Sequence, residues 1–570
     1  MVSSASSPIA TRPPYRGYRR KLVLAFDVGT TYSGISYTVL DPGQAPEIKP
    51  VTRFPAHEHI SGASKIPTVL YYDRQGAVKA AGAEAMKDGV FETAEDEGWI
   101  KTEWFKLHLR PHSPSTSQIT DEIPPLPTHK TVVHVLSDYL RYLKYCAHEY
   151  VKDTHVNGAE LWASVEGDID YVLSHPNGWG GGQQERMRKA AVMAGLVPDT
   201  QGGDGEGEAS LHFSIQNGLP GGVMERGEGV VVVDAGGGTV DISAYGRSQA
   251  PEIAQAQCHF HGSVFVTIHA GVFLENYLKD SPFQDDIEHI LRCFDKTTKP
   301  RFRNKDEPQY IKSEVAGFFE PSVKCIVNGV LEQRKQAHRA MTHVVLVGGF
   351  AASDWLFSRV QEALKPHGMN VVRPENHVNK AVSDGAISFY LRPLRQQHAY
   401  PRWCMATFAI SRSWRATPSI EIGCHRCLRV FRGRGGSQIR FDIILHKNQQ
   451  VSEMKEESGR KDDFKKAVFH VWGYRGLNLM PKWKDVDSGE WFISFFTLSC
   501  KTIAKICTIE VDLSRLALQP RRNERGATFF RLEYEIVLMF GLTEFKAQVS
   551  YKENGVEKRY VRKILYEPDS

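Results

Sequence analysis

Asp27-Val28-Gly29-Thr30-Thr31 and Asp234-Ala235-Gly236-Gly237-Gly238-Thr239-Val240-Asp241 stand about two hundred residues apart in the chain. Each follows an apolar run, Lys21–Phe26 in the first case and Gly229–Val233 in the second, so each reads as a buried strand entering a tight turn. Glycines let a backbone approach a polyphosphate and aim its amides at the oxygens. Threonine hydroxyls add donors, and aspartates can hold a hydrated magnesium ion beside the phosphates. Two such turns can close on one nucleotide from opposite sides. A single Gly-Thr turn serves packing as readily as binding, but two of them, each beside a strand-borne aspartate, favour a phosphate clamp. A third element, His343–Asp354, reads as a strand, the pair Gly348-Gly349 and a helix start with Ser353 or Asp354 suited to the cap. The glycine pair would admit a flat purine and its ribose; a tight strand-helix turn without ligand would read the same way.

With 570 residues the chain can hold several core-bearing units, about four on a prior of roughly 150 residues each. Hydrophobic residues at 41% and charged residues at 24% are ordinary for a soluble globular protein. A net charge of +5 is too small a bias to imply nucleic acid. No apolar run reaches the ~20 residues of a membrane helix, and Met1–Pro14 lacks the apolar core of a secretory signal, so a cytoplasmic location is expected, with a nuclear one also allowed. Nine widely spaced cysteines make a poor disulfide framework. Cys424-His425-Arg426-Cys427 alone has metal-like or redox-like spacing. A zinc site needs further ligands, and Cys500 and Cys507 lie far downstream, so the plainer reading is two strand cysteines in a reducing compartment.

Residues 1–20, rich in Ser, Pro and Arg, are expected to form a disordered tail. From Lys21 to about Arg395 apolar strands alternate with amphipathic helices, which predicts an α/β architecture. Strands are predicted at 35–40, 68–72, 169–174, 229–234 and 344–347, helices at 132–151, 183–194, 265–278 and 354–364, and loops at 111–127 and 202–207. Beyond about residue 396, short β-prone runs at 438–445, 491–498, 502–513, 529–539 and 544–551 predict a separate β-rich domain reaching residue 570.

Asp27–Gly34, Asp234–Asp241 and Val345–Gly349 resemble the phosphate-one, phosphate-two and adenosine motifs of the actin, hexokinase and heat-shock protein 70 superfamily. Their wording is closest to the heat-shock branch, in particular its divergent members without the usual peptide-binding C-terminus. Leu173–Trp179, Glu206–Phe213 and Val378–Ile387 extend the resemblance, which covers about 21–395. It implies a two-lobed actin-like ATPase built from duplicated ribonuclease-H-like units. Lobe I would be about 21–220 with a returning helix at 379–394, and lobe II about 221–378.

The resemblance also implies ATP or ADP with magnesium at the base of the cleft. Asp27 and Asp234 would hold the ion through water, and Gly29, Thr30, Thr31, Tyr32, Gly236, Gly237, Gly238 and Thr239 would contact the nucleotide's phosphate end. Thr239, Asp241 and a lysine would orient the attacking water; Lys106, in the segment Ile100–Arg110, is preferred to Lys101. Positioning and charge neutralisation are most of what phosphoryl transfer asks. Gly348, Gly349, Phe350 and Lys299 would line the base and ribose, with Phe350 and Ala352 replacing more polar residues, and Asp384 and Gly385 would lie in a hinge-like helix. Glu206 matches a cleft glutamate, but Gly207 stands where the family has proline, a departure that bears on hydrolysis and its coupling.

The family's apolar linker is replaced by the basic Tyr390–Tyr400 with Pro393 inside it, and neither the helical lid nor the acidic tail has a counterpart. Standard peptide gripping is therefore not expected; a protein partner of the β-rich domain is. The basic clusters Arg426–Arg434 and Pro520–Arg525 read as solvated loops, and Trp472, Trp483 and Trp491 as core or loop anchors, so nucleic acid is not expected. Three functions stay open: a slowly hydrolysing chaperone-like ATPase, a non-hydrolysing nucleotide-sensing scaffold, and a small-molecule kinase on the same fold.

Overall fold

Strands buried on both faces read as continuous apolar runs, and the two runs that precede the glycine turns form the central strands of two sheets. The computed structural model describes residues 12–56, 64–109, 123–176, 179, 181–197, 229–246, 257–303, 312–337, 340–374 and 381–391, followed by strand segments between 404 and 566. By internal contacts it divides into two units, one holding Met1–Arg110 and Ser115–Gln396, the other Pro111–Pro114 and Gln397–Ser570.

In the first unit β1 (Lys21–Val28) runs into the first turn and returns antiparallel as β2 (Tyr32–Leu40), with Asp27 opposite Gly34 and Val28 opposite Ser33. A parallel neighbour needs a long crossover. Here the 23-residue helix α1 (Val132–Thr154) lies within it, before β3 (Ile169–Leu173) pairs in parallel with β1. Helix α2 (Gly181–Met193) follows. The second sheet repeats this plan. β4 (Gly229–Ala235) turns back antiparallel as β5 (Val240–Gly246), with Asp234 opposite Asp241. Helices α3 (Ser263–Tyr277) and α4 (Lys312–Gln336) then precede β6 (Met341–Val347), which pairs in parallel with β4. Helix α5 (Asp354–Leu364) starts where expected, with Ser353 Oγ accepting from Leu356 N at 3.3 Å. The chain is thus mixed α/β with several sheets, of which these two combine parallel and antiparallel pairs.

Each of the two sheets has its own apolar core. Leu24, Phe26 and Ile35 pack with Tyr139, Leu140 and Leu143 of α1, while Val231, Val233 and Ile242 pack with Phe319, Val323 and Ile326 of α4. Helix α6 (Ala381–Leu391) lies on the other face of the first sheet, where Ala386 and Ile387 meet Val23, Ala25 and Val172. Ser36 of β2 bonds Ser383 Oγ at 2.9 Å and the Asp384 carboxylate, so the residue expected to be hinge-like makes a part-buried helix-to-sheet tie.

The predicted strands at 35–40, 68–72, 169–174, 229–234 and 344–347 and the four predicted helices all have counterparts, with ends displaced by a few residues at most. Helix α4 has no forerunner in the sequence reading, because Gly317, Pro321 and Gly329 interrupt its pattern. It persists because Val315, Phe319, Val323, Ile326 and Val330 are buried along one face. Of the tail, residues 1–11 lie outside the described residues, while Arg12–Arg20 is described. Tyr15 N donates to Gln44 O at 2.8 Å, Gly43 N donates to Tyr15 O at 2.9 Å, and the Tyr15 ring joins the core beneath α6.

In the second unit the described strands are all paired antiparallel. Cys404–Ala409, Ala467–Tyr474, Ile503–Val511 and Ile564–Tyr566 form one sheet, and Gln450–Gly459, Pro520–Arg522, Thr528–Phe540, Phe545–Glu553 and Val556–Tyr560 another. The runs predicted at 438–445 and 491–498 lie outside the described residues, as do Cys424–Cys427, Trp483 and Trp491. Among the described residues no helix is long and apolar enough to cross a membrane.

Phe319 is fully buried and its ring meets Phe302 and Phe350 at centroid distances of 5.9 and 5.8 Å. Phe319→Ala should therefore lower the unfolding free energy by about 3–5 kcal/mol in chemical denaturation. Lys324→Ala, on the exposed face of the same helix, should change it by less than about 0.5 kcal/mol.

Candidate functional site

Helix N-termini carry amides without intrahelical partners, and at the start of α3 these amides hold the second glycine turn. Ser263 N donates to Gly236 O at 3.1 Å, Val264 N to Gly237 O at 2.8 Å and Gly262 N to Gly238 O at 3.2 Å, while Gly236 N closes the turn on Thr239 O at 2.8 Å. The first turn is held from the side, by Thr68 N donating to Thr31 O at 2.8 Å. The two turns then abut. A Cβ on Gly237 would lie 2.2 Å from Thr31 Oγ1, and one on Gly238 would lie 2.4 Å from Thr30 Oγ1. The third motif joins them at Gly348, whose φ of +93° and 2.4 Å clearance to Ala235 O and Asp234 Oδ1 admit only glycine.

Around this contact lies a cavity of about 530 Å³, a size typical of small-molecule sites. Asp27, Gly29, Thr30, Thr31, Tyr32, Lys106, Asp234, Gly236, Gly237, Gly238, Thr239, Asp241, Lys299, Gly348, Gly349 and Phe350, all singled out from the sequence, line it together. Glu206 and Gly207 lie outside the described residues. Lys65, Ser263 and Asp295 also line the cavity. None of the three belongs to a glycine motif, so no local signal in the sequence marks them.

The charges are arranged in pairs. Asp27 Oδ2 accepts from Lys65 Nζ at 2.7 Å, and Ser174 Oγ lies 3.4 Å from Oδ1. Lys106, buried, sits on the tight turn Phe105–Leu109 with its Nζ 5.4 Å from the Trp179 ring centre. That turn is entered through Trp104 at a φ of +55°, a left-handed conformation that a non-glycine residue adopts at a cost of roughly 1–2 kcal/mol. Lys101, by contrast, is exposed and pairs with Glu103 at 2.8 Å. Lys299 Nζ bonds Thr267 Oγ1 at 3.0 Å, Ser263 O at 3.3 Å and the Asp295 carboxylate. Burial raises the Asp295 pKa, but the Lys299 charge and the hydrogen bonds from Lys299 and Thr267 outweigh it, leaving the carboxyl below its usual range.

Asp241 is the unusual carboxylate. It is buried beside Asp234, and its Oδ1 has no hydrogen-bond partner among the described residues. Burial, and then the Asp234 charge, push its pKa up to about 7, against hydrogen bonds from Cys258 and Thr239 and the charge of Lys106. Among the described residues no three His, Cys, Asp or Glu side chains form a metal cage. A magnesium ion keeps most of its waters and needs only one or two carboxylates together with substrate phosphates. Asp27 and Asp234 fit that requirement, and the orphaned Asp241 oxygen provides a place for an ordered water.

A scan against protein-family models finds no match for this chain, and a search of curated proteins finds none.

Because the folded pKa of Asp241 is raised, its proton-linked contribution to stability is present below the unfolded value near 4 and is lost as pH rises through about 7. Asp241→Asn should raise the melting temperature of the ligand-free protein at pH 8. The gain should shrink steadily toward pH 5. A melting series across that range checks both, and a pH-independent difference would contradict the assignment.

Proposed function

We propose that this protein binds ATP or ADP with magnesium in the cavity and hydrolyses ATP slowly, as a chaperone-like protein of the divergent heat-shock 70 type. In this reading the first unit is a two-lobed actin-like nucleotide-binding domain, and a β-rich C-terminal module senses the closure of its cleft and meets a protein partner. One observation carries the reading: two hairpins with the same pairing plan bring their glycine turns into contact over one cavity, each with an aspartate beside its turn.

Gly29, Thr30 and Thr31 take one side of the polyphosphate, and Gly236–Thr239 take the other. Gly348, Gly349, Phe350 and Lys299 take the base and ribose. Asp27 and Asp234 would hold the hydrated magnesium ion, whose charge would offset that of the phosphate oxygens. Asp241 Oδ1 and Thr239 orient the water that attacks the terminal phosphorus. With its raised pKa, Asp241 is suited to accept that water's proton near neutral pH. Lys106, opposite Asp241 in charge, stabilises the negative charge that builds during transfer. Gly207, in place of the proline that the resemblance leads one to expect, supports a second reading as a non-hydrolysing nucleotide sensor.

A single-turnover assay with γ-labelled ATP and magnesium, following bound nucleotide and released phosphate together, separates these readings. Release of free phosphate supports the ATPase. Tight binding without release supports the sensor, and label transferred only to an added acceptor would indicate a kinase. Asp27→Ala and Asp234→Ala should each weaken magnesium-dependent nucleotide binding by about tenfold or more; unchanged binding in both would remove the reading. Lys106→Ala should keep affinity within about threefold while slowing phosphate release by roughly a hundredfold, and normal turnover would take Lys106 out of the mechanism.

A further inference from the structure

We propose that Lys65 is a phosphate-binding lysine belonging to the first turn, and that it acts on nucleotide affinity while Lys106 acts on turnover. The proposal rests on the nucleotide reading given above.

Lys65 lies in none of the sequence motifs, yet its position is fixed by the first turn. The two residues after it, Ile66 and Pro67, pair with Ser33 and Tyr32 of β2, and Thr68 N then donates to Thr31 O at 2.8 Å. The Lys65 stem crosses β2 at Gly34, where an added Cβ would stand 3.4 Å from Lys65 Cγ and 3.5 Å from Cε. The lysine is therefore laid along the strand that leaves the turn, and its ammonium reaches back to Asp27 at 2.7 Å inside the cavity lining. Only 15% of the Lys65 side chain and 6% of the Asp27 side chain are exposed.

A buried ion pair contributes little net stability, because desolvation offsets most of the attraction. Such a pair at the foot of a cavity is better explained by a ligand than by the fold. A lysine ammonium has three donors, and one is directed to Asp27. A polyphosphate seated on Gly29–Thr31, which line the same cavity, would give the ammonium a second acceptor. Asp27 keeps the lysine from being a bare buried cation when no ligand is bound. The second turn has its own set, Lys106 and Asp241, both buried and both in the lining of the same cavity. Lys65 thus pairs with the carboxylate expected beside the metal, and Lys106 acts on the carboxylate expected beside the attacking water.

The test is equilibrium binding of MgATP, MgADP and adenosine to the full-length protein and its variants, together with KM and kcat for phosphate release. Lys65→Met should weaken MgATP about 10–100-fold, leave adenosine within about twofold, and raise KM far more than it lowers kcat. Lys65→Arg should recover most of the affinity. If Lys65→Met melts below the assay temperature, Lys65→Gln takes its place; its amide can still donate to Asp27 but carries no charge, and the same shifts are expected. MgATP affinity equal to that of the parent protein, or equal losses for MgATP and adenosine, would overturn the role of Lys65 alone. Failure of the parent protein to bind any of the three would overturn the nucleotide reading and the role of Lys65 with it.

Discussion

The contact between two glycine turns is the constraint on which the site depends. Thr30 and Thr31 occupy the space that side chains at residues 238 and 237 would fill, so the hairpins of the two sheets meet backbone against side chain with no clearance for a methyl group. Gly262 repeats the requirement one layer out, since its Cβ would lie 2.5 Å from Gly237 O. Interiors packed at this density transmit displacement rather than absorb it. A shift of either hairpin must therefore move the other, or open the contact.

That contact also gathers charge. Four aspartates, Asp27, Asp234, Asp241 and Asp295, line one cavity with Lys65, Lys106, Lys296 and Lys299, and burial makes each imperfectly paired group costly. Asp27 is offset by an ammonium at 2.7 Å, whereas Asp241 has an oxygen with no partner among the described residues and a pKa near 7. Perturbed carboxylates of this kind collect where function rather than stability selects the residue. The left-handed Trp104, two residues before Lys106, is a second local cost at the same site.

Much of the cavity lining was legible in the sequence because glycine and β-periodicity are local signals. A turn that needs bare backbone must use glycine, and a strand buried on both faces must be apolar, so Asp27–Thr31, Asp234–Asp241 and Val345–Gly349 mark themselves. Helix α4 did not, because Pro321 and two nearby glycines hide a face that only packing against the second sheet makes helical. Tyr15 was hidden in the same way, as an aromatic ring in a stretch whose average composition is that of a tail.

The sequence by itself determined the buried strand that enters each glycine turn, the carboxylate beside each turn and the α/β alternation around them, since each follows from residues adjacent in the chain. Tertiary structure alone decided that the two turns meet, that Lys106 rather than Lys101 is buried in the cavity lining, and that Lys65 rests on Asp27. Those relations join residues 38 to about 200 positions apart. Distances of this kind are set by how the sheets pack, and no local pattern encodes them.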